Sequence, residues 1–465
     1  MPSDASNSFG ISAQLKNKLI QKSLQRRLKS QTQNLSDHGM HASHRLPSHD
    51  HDPAWRSPAP SIGIPAAYYS FSEMPAYQQL RIMHESGMRL KLANPFFKVH
   101  EGLGSGETVI NGRTLINFAC YDYLGMSADH CVQTAAKSAI DRYGTSVSAS
   151  RIVAGERPVH RELEGALAAI YDTEDAIVFV SGHATNVSVI GHLFGPRDLI
   201  LHDEFIHNSV LMGIKLSGAQ RLPFSHNDWQ EVDQVLQRQR QQFERVLIVI
   251  EGLYSMDGDI PDLPRFVDIK RKHCTFLMVD EAHSFGVLGE EGHGIRTHYG
   301  LNGSDIDIWM GSLSKTLAGC GGYIAGSTAL VEHLKFLAPG FLYSVGMAPP
   351  LAAASLAALQ RMKEVPERIV RLKKNSRSFL ERAKAIGVNT GLSEGLAVIP
   401  VITGNTLQAV RLSDALYQQG INVQPIFYPA VPEASARLRF FMSCLHTQAQ
   451  IDFTIQTLKS AMQAI

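Results

Sequence analysis

Between Asp175 and Ser312 the chain repeats one pattern: a short apolar run, a polar residue where the run ends, then a helix-forming stretch. The runs "DAIVFV", "DLILHD", "RVLIVIEG", "TFLMVD" and "DIDIWMGS" have the length of strands and carry few polar residues inside. Strands apolar on both faces need covering on both faces, and the intervening helices supply it. The pattern therefore predicts an α/β fold with a mostly parallel sheet. In open sheets of this kind ligands gather beyond the carboxyl ends of the strands. Ser181, His202, Glu251, Asp280 and Ser312 all fall at those ends.

The flanking segments read differently. Residues 1–62, rich in Ser, Gln, His, Asp and Pro, predict a disordered or linker tail with one basic amphipathic helix, "ISAQLKNKLIQKSLQRRLKSQ". A solvated tail and a partner-docking arm both remain open there. Residues 63–120 predict a helix, "MPAYQQLRIMHESGMRL", and a β-hairpin turning at Asn111-Gly112. Residues 121–344 make the large domain. Residues 345–465 make a smaller α+β domain, in which two long helices precede the strands "GLAVIPVITG", "GINVQPIFYP" and "ARLRFFMS". A formal net charge of +1 over 465 residues argues against duplex nucleic acid or an anionic membrane as the main partner. No apolar run reaches the ~18 residues of a membrane span. Five scattered cysteines without a CxxC pair fit reduced thiols in a cytoplasmic protein, and argue against a metal site.

The chemistry concentrates in four places. "GSLSKTLAGCGGYI" sets Lys315 just after an apolar strand, among small residues. Such neighbours let a planar cofactor approach the backbone, and Ser312 and Ser314 offer hydroxyls to a phosphate. A lysine used for imine formation needs this partial desolvation; a surface lysine on a loop would look the same in isolation. Asp280 ends the strand "TFLMVD", so its carboxylate is carried into the cleft with little water. A buried carboxylate needs a cation. A protonated pyridine nitrogen would serve, and His283 would reach the same ring; a turn-capping aspartate is the alternative. "FVSGHATN" places Ser181, Gly182 and His183 where free N–H groups and a positive helix end accept a phosphate, or merely cap the helix. His207 in "FIHNSV" stands where a ring can stack on the pyridine face, or cap its own helix.

Taken in order, "SGHATN", "HNS", "EGLYSMDGD", "VDEAHSFGVLG" and "SLSKTLAGCGGYI" resemble the α-oxoamine synthase family of fold-type I pyridoxal 5′-phosphate (PLP) enzymes, over about residues 95–460. The resemblance implies a fold-type I PLP transferase acting as a homodimer with shared active sites. It makes Lys315 the Schiff-base lysine, Asp280 the partner of the pyridine nitrogen, His283 the neighbour of the phenolic oxygen and His207 the stacking residue. Gly182 and His183 match the pair beside the cofactor, and Ser255 and Ser312 its hydroxyl contacts. Arg439 in "RLRFFMS" matches the arginine that grips the amino-acid carboxylate, a task suited to a guanidinium. Two places depart from the commoner pattern. Tyr121 in "FACYDYLGM" replaces an asparagine of many members and, with Ser150 in "SASR", is assigned to the substrate pocket. Ser344 in "YSVGMAPP" is what remains of a hydroxyl run that in the family reaches the partner's cofactor phosphate.

The implied reaction joins a small amino acid (glycine, alanine or serine) to an acyl thioester on CoA or an acyl-carrier protein. Lys315 takes the Cα proton, the carbanion attacks the thioester, and loss of CO2 leaves an α-aminoketone. The rivals are a transamination or aldol cleavage on the same fold, and a non-catalytic partner subunit. Lys315, Asp280 and His207 together count against the last.

Overall fold

The computed structural model describes residues 64–90 and 92–464; the tail and its amphipathic helix lie outside them. The chain divides after Gln78 into two units. In the first, the described residues form two single turns, Ala66–Tyr68 and Phe71–Glu73, and the start of the helix Pro75–Arg89. The second unit carries thirteen strands among the described residues, numbered here in chain order: β1 (Glu107–Ile110), β2 (Arg113–Asn117), β3 (Asp175–Phe179), β4 (Leu199–Asp203), β5 (Gln220–Phe224), β6 (Val246–Glu251), β7 (Phe276–Asp280), β8 (Ile308–Ser312), β9 (Gly322–Gly326), β10 (Val398–Ile402), β11 (Ile421–Asn422), β12 (Gln424–Ile426) and β13 (Arg437–Phe441).

Seven of them form one sheet in the order β3-β9-β8-β7-β6-β4-β5. Pairing is parallel from β5 across to β8, and β9 runs antiparallel to β8 and β3. The mostly parallel sheet expected from the apolar runs is present, and its strands are buried on both faces. Ile248, Ile250, Leu277, Val279 and Trp309 join one apolar cluster, while Leu247, Val249, Met278, Ile308 and Met310 join the other. That alternation is the two-residue period of a strand with helices on each side.

Two strands of this sheet were not legible as strands. β5 ("QRLPF") is an edge strand whose outer residues meet solvent, so its apolar signal is weak. β9 ("GYIAG") begins inside the glycine-rich stretch after Lys315 and looks like its continuation.

The hairpin β1–β2 turns at Asn111 and Gly112, with φ of 53° and 70°. Two positive φ angles in a two-residue loop match the strand twist and are tolerated best by Asn-Gly. The run "GINVQPIFYP" is divided between two sheets. β11 pairs parallel with β2, while β12 joins β13 and β10 in a small antiparallel sheet ordered β10-β13-β12. No helix among the described residues is long and apolar enough to cross a membrane.

Candidate active site

Parallel strands end together, so the residues that close them meet. β6 ends in Glu251 and β7 in Asp280, which face each other in register, and β8 ends in Ser312. Around these ends lies a cavity lined by Gly182, His183, Asn186, His207, Ser209, Glu251, Asp280, Ala282, His283, Met310, Ser312 and Lys315. Seven residues expected from the sequence to act on one cofactor (Gly182, His183, His207, Asp280, His283, Ser312 and Lys315) are thus brought together. A larger cleft at the opposite end of the sheet, lined by Phe194, Arg245 and Phe276 among others, holds no lysine.

Lys315 sits in the loop between β8 and β9, and the loop is pinned from both sides. Leu313 N–H donates to Gly321 O at 2.9 Å, Gly319 N–H to Leu313 O at 2.8 Å, and the Thr316 hydroxyl to Phe285 O at 2.8 Å. Burial, opposed by the carboxyls of Asp280 and Glu251, lowers the Lys315 amine to about 8. A lysine tuned this way presents a neutral, nucleophilic amine near physiological pH. Apo-protein mixed with PLP should therefore gain visible absorption at a rate that rises about tenfold per pH unit and levels off near pH 8. A rate still climbing toward pH 10 in stopped-flow traces would contradict that environment.

Asp280 accepts from Asn186 Nδ2 at 2.9 Å and from Ala282 N–H at 3.0 Å. The same amide group of Asn186 donates to Ser209 Oγ at 2.9 Å, and Ser209 Oγ lies 2.7 Å from His207 Nδ1. Ser209 N–H also donates to that nitrogen at 3.2 Å. With Nδ1 accepting, the ring proton of His207 belongs on Nε2. Burial holds His207 below its ordinary range, so the ring is neutral. His183 meets it edge to face, with centroids 6.3 Å apart.

His283 is pushed well below its ordinary range by burial and by nearby Lys315, Arg439 and His207. Its Nδ1 is 2.6 Å from the buried Tyr123 hydroxyl. Burial raises that hydroxyl well above the usual phenol range, so it keeps its proton and donates it to Nδ1. Nε2–H of His283 is left free to donate. Glu251 is driven upward by burial first and by Asp280 second; its Oε2 takes Ser255 N–H at 3.1 Å, and its buried Oε1 has no partner among the described residues.

The remaining expected residues lie outside the cavity lining. Ser255 is buried, and its carbonyl accepts from Arg439 at 3.0 Å. Arg439 rests on the Phe441 ring, 4.6 Å from its centroid, and that ring stacks parallel to His283. Tyr121 is partly exposed, with its edge toward Phe441 at 4.9 Å. Ser150 precedes a single π-turn, Arg151–Gly155, and the Ser344 hydroxyl donates to Val345 O. Asn186, Ser209 and Tyr123, which bond to Asp280, His207 and His283, were not singled out from the sequence. Their only signal was a place inside the quoted runs "SGHATN", "HNS" and "FACYDYLGM".

The residues fit PLP. A lowered amine answers an aldehyde, a strand-end carboxylate answers a pyridinium, and two neutral histidines answer a ring face and a phenolate. At Gly182 a Cβ would stand 3.3 Å from Ser312 Oγ and 3.5 Å from Gly321 O, so a side chain would crowd the cradle. Comparison with known proteins agrees. The family model for aminotransferase class I and II matches residues 113–458. An 8-amino-7-oxononanoate synthase from Fervidobacterium nodosum is 39% identical over 350 residues, covering 75% of this chain and 88% of that one. A serine palmitoyltransferase from S. paucimobilis, solved with PLP and myriocin, is 29% identical with a TM-score of 0.80, covering 84% of this chain and 98% of that one. The 8-amino-7-oxononanoate synthase from Francisella tularensis is 27% identical with a TM-score of 0.65, covering 75% and 98%. The chain therefore belongs to the class I and II aminotransferase family and, within it, to the α-oxoamine synthases, the PLP-dependent acyltransferases that condense a small amino acid with an acyl thioester and release CO2 and free thiol.

Proposed function

We propose that this chain condenses alanine with a seven-carbon dicarboxylic acyl thioester, carried on CoA or an acyl-carrier protein, to give 8-amino-7-oxononanoate. The product named in the curated relatives dissects into these parts. Its C8 amine and C9 methyl are the Cα substituents of alanine after loss of the carboxylate. Its C7 ketone and C1 carboxyl are the two ends of the acyl chain.

The observation that carries the amino-acid half is Arg439. Its guanidinium is deeply buried, its Nε has no partner, and it makes no ion pair among the described residues. A buried cation without a carboxylate is a standing demand for one. Its charge acts on Lys315, His207 and His283, which supports a place for it beside the same cavity. In this reading Arg439 holds the amino-acid carboxylate and the neutral amine of Lys315 takes the Cα proton. Asp280 would hold a positive ring nitrogen, His207 would face the ring, and His283 would donate from Nε2. PLP, when bound, supplies the electron sink for the Cα carbanion.

Arg439→Lys keeps the charge but loses the planar fork, so KM for alanine should rise about tenfold or more while KM for the acyl donor changes little. Parallel rises in both constants would remove Arg439 from this role. The substrate assignment is tested by incubating holoenzyme with alanine, glycine or serine and a panel of acyl thioesters, then measuring free thiol, CO2 and product mass. The expected result is 8-amino-7-oxononanoate from alanine and the seven-carbon dicarboxylic donor. A long-chain product from serine, or keto-acid consumption without thiol, would overturn it.

The reading includes a homodimer. Gly346 N–H donates to Ala149 O at 2.9 Å, so the segment that carries exposed Tyr343 and Val345 meets the one that carries exposed Ile152 and Val153. Ser150 and Ser344 stand beside these residues along the chain, and a second copy docked there would bring them to a shared site. Free thiols at all five cysteines support a reducing, cytoplasmic setting.

A further inference from the structure

His226, just after β5, has a side chain that is mostly buried. Its Nδ1 lies 2.9 Å from Asp203 Oδ1 and its Nε2 2.8 Å from Asp259 Oδ2. Phe205 covers the ring at 4.5 Å, and Tyr254 meets it edge-on at 4.5 Å. Glu204 accepts only the backbone N–H of His226. With a carboxylate at each nitrogen, the ring donates twice and must be an imidazolium. Burial works against that charge, but the hydrogen bonds to Asp203 and Asp259 outweigh it and raise the group to about 10.

None of the three residues lines the cofactor cavity. What they hold is the loop from Gly252 to Ile260. The Tyr254 hydroxyl donates to Asp203 Oδ2 at 2.9 Å, Tyr254 N–H to Asp259 O at 3.0 Å, and Gly258 N–H to Tyr254 O at 2.9 Å. Gly258 has a φ of 73°, and a Cβ there would stand 2.0 Å from Val398 O, so the loop is pressed against β10. From this loop two carbonyls reach β13. Ser255 O accepts from Arg439 at 3.0 Å and Met256 O from Arg437 at 3.0 Å, while Asp257 pairs with Arg437 at 2.7 Å. The triad and Arg439 are therefore two ends of one short, hydrogen-bonded connection.

We infer that Asp203, His226 and Asp259 form a positioning triad for amino-acid recognition, fixing the Ser255–Asp257 loop and through it the guanidinium of Arg439. Buried charged networks hold one geometry because removing any member strands the others. A substrate carboxylate gripped in two places feels even small displacements of the guanidinium. The inference rests on Arg439 being the carboxylate ligand.

The test uses holoenzyme carrying His226→Gln, with Tyr254→Phe as a milder variant that removes only the hydroxyl on Asp203. Alanine affinity is read from the change it causes in the cofactor's visible absorption, and the acyl-donor KM from turnover. His226→Gln should retain PLP, weaken alanine binding about tenfold and leave the acyl-donor KM within about twofold. Tyr254→Phe should act in the same direction with a smaller effect. Combined with Arg439→Lys, His226→Gln should add no further loss, because both act on one contact. Equal weakening of both substrates, or losses that multiply in the double variant, would overturn the triad's role. Should Arg439→Lys alone leave alanine binding unchanged, the reading of Arg439 falls. Should it weaken binding while His226→Gln and Tyr254→Phe do not, the triad alone falls.

Discussion

Lys315→Ala is expected to give a folded protein that lacks the lysine–imine absorption and whose turnover is lower by about 10³-fold or more. A positioned general base contributes roughly 10²–10⁴-fold by proton transfer alone, and in the proposed reading this amine would also hold the cofactor covalently. Among the described residues the Lys315 side chain makes no ion pair, while its loop is pinned by backbone bonds and by Thr316. Truncation therefore removes chemistry and leaves the scaffold. Burial disfavours the charged amine, as its lowered pKa records. Removing it should leave the apo-protein's melting temperature unchanged or raised. Thermal melts of apo-protein and visible spectra after PLP addition separate the two effects; a lower melting temperature alongside lost activity would assign Lys315 a structural part.

Asp280→Ala should cost about 10²–10³-fold in kcat and weaken PLP binding, because a preorganised charge is lost from a water-poor site. The substitution also strands the Asn186 amide that bridges Asp280 and Ser209, so the His207 ring loses its indirect tether. Asp280→Asn keeps the side-chain shape without the charge. If charge is what matters, the asparagine variant is nearly as impaired as the alanine variant. An asparagine variant with near-normal kcat would show that Asp280 acts through packing.

The sheet was readable because β6, β7 and β8 are apolar on both faces, and a run such as "VLIVI" has few other fates. The edge strand β5 and the glycine-rich β9 carry no such constraint, and they were missed. Strand β11 leaves the other C-terminal strands and joins β2: two residues hold too little pattern to choose a partner, and the pairing is decided by tertiary contact. In the site, Lys315, Asp280 and His207 were legible because each stands at a strand-to-loop junction. Asn186, Ser209 and Tyr123 act by bonding to those residues across the fold, a relation that spacing along the chain does not encode. The His226 cluster was invisible for the same reason. Its members come from β4, the turn after β5 and the loop after β6, more than twenty residues apart at the nearest.

One covalent bond underlies the whole reading, and peptide mapping tests it directly. Holoenzyme reduced with borohydride, digested and examined by mass spectrometry should carry the pyridoxyl group on the peptide that contains Lys315 and on no other. Label on a different lysine, or an unlabelled Lys315 peptide from protein that was visibly loaded with PLP, would contradict it.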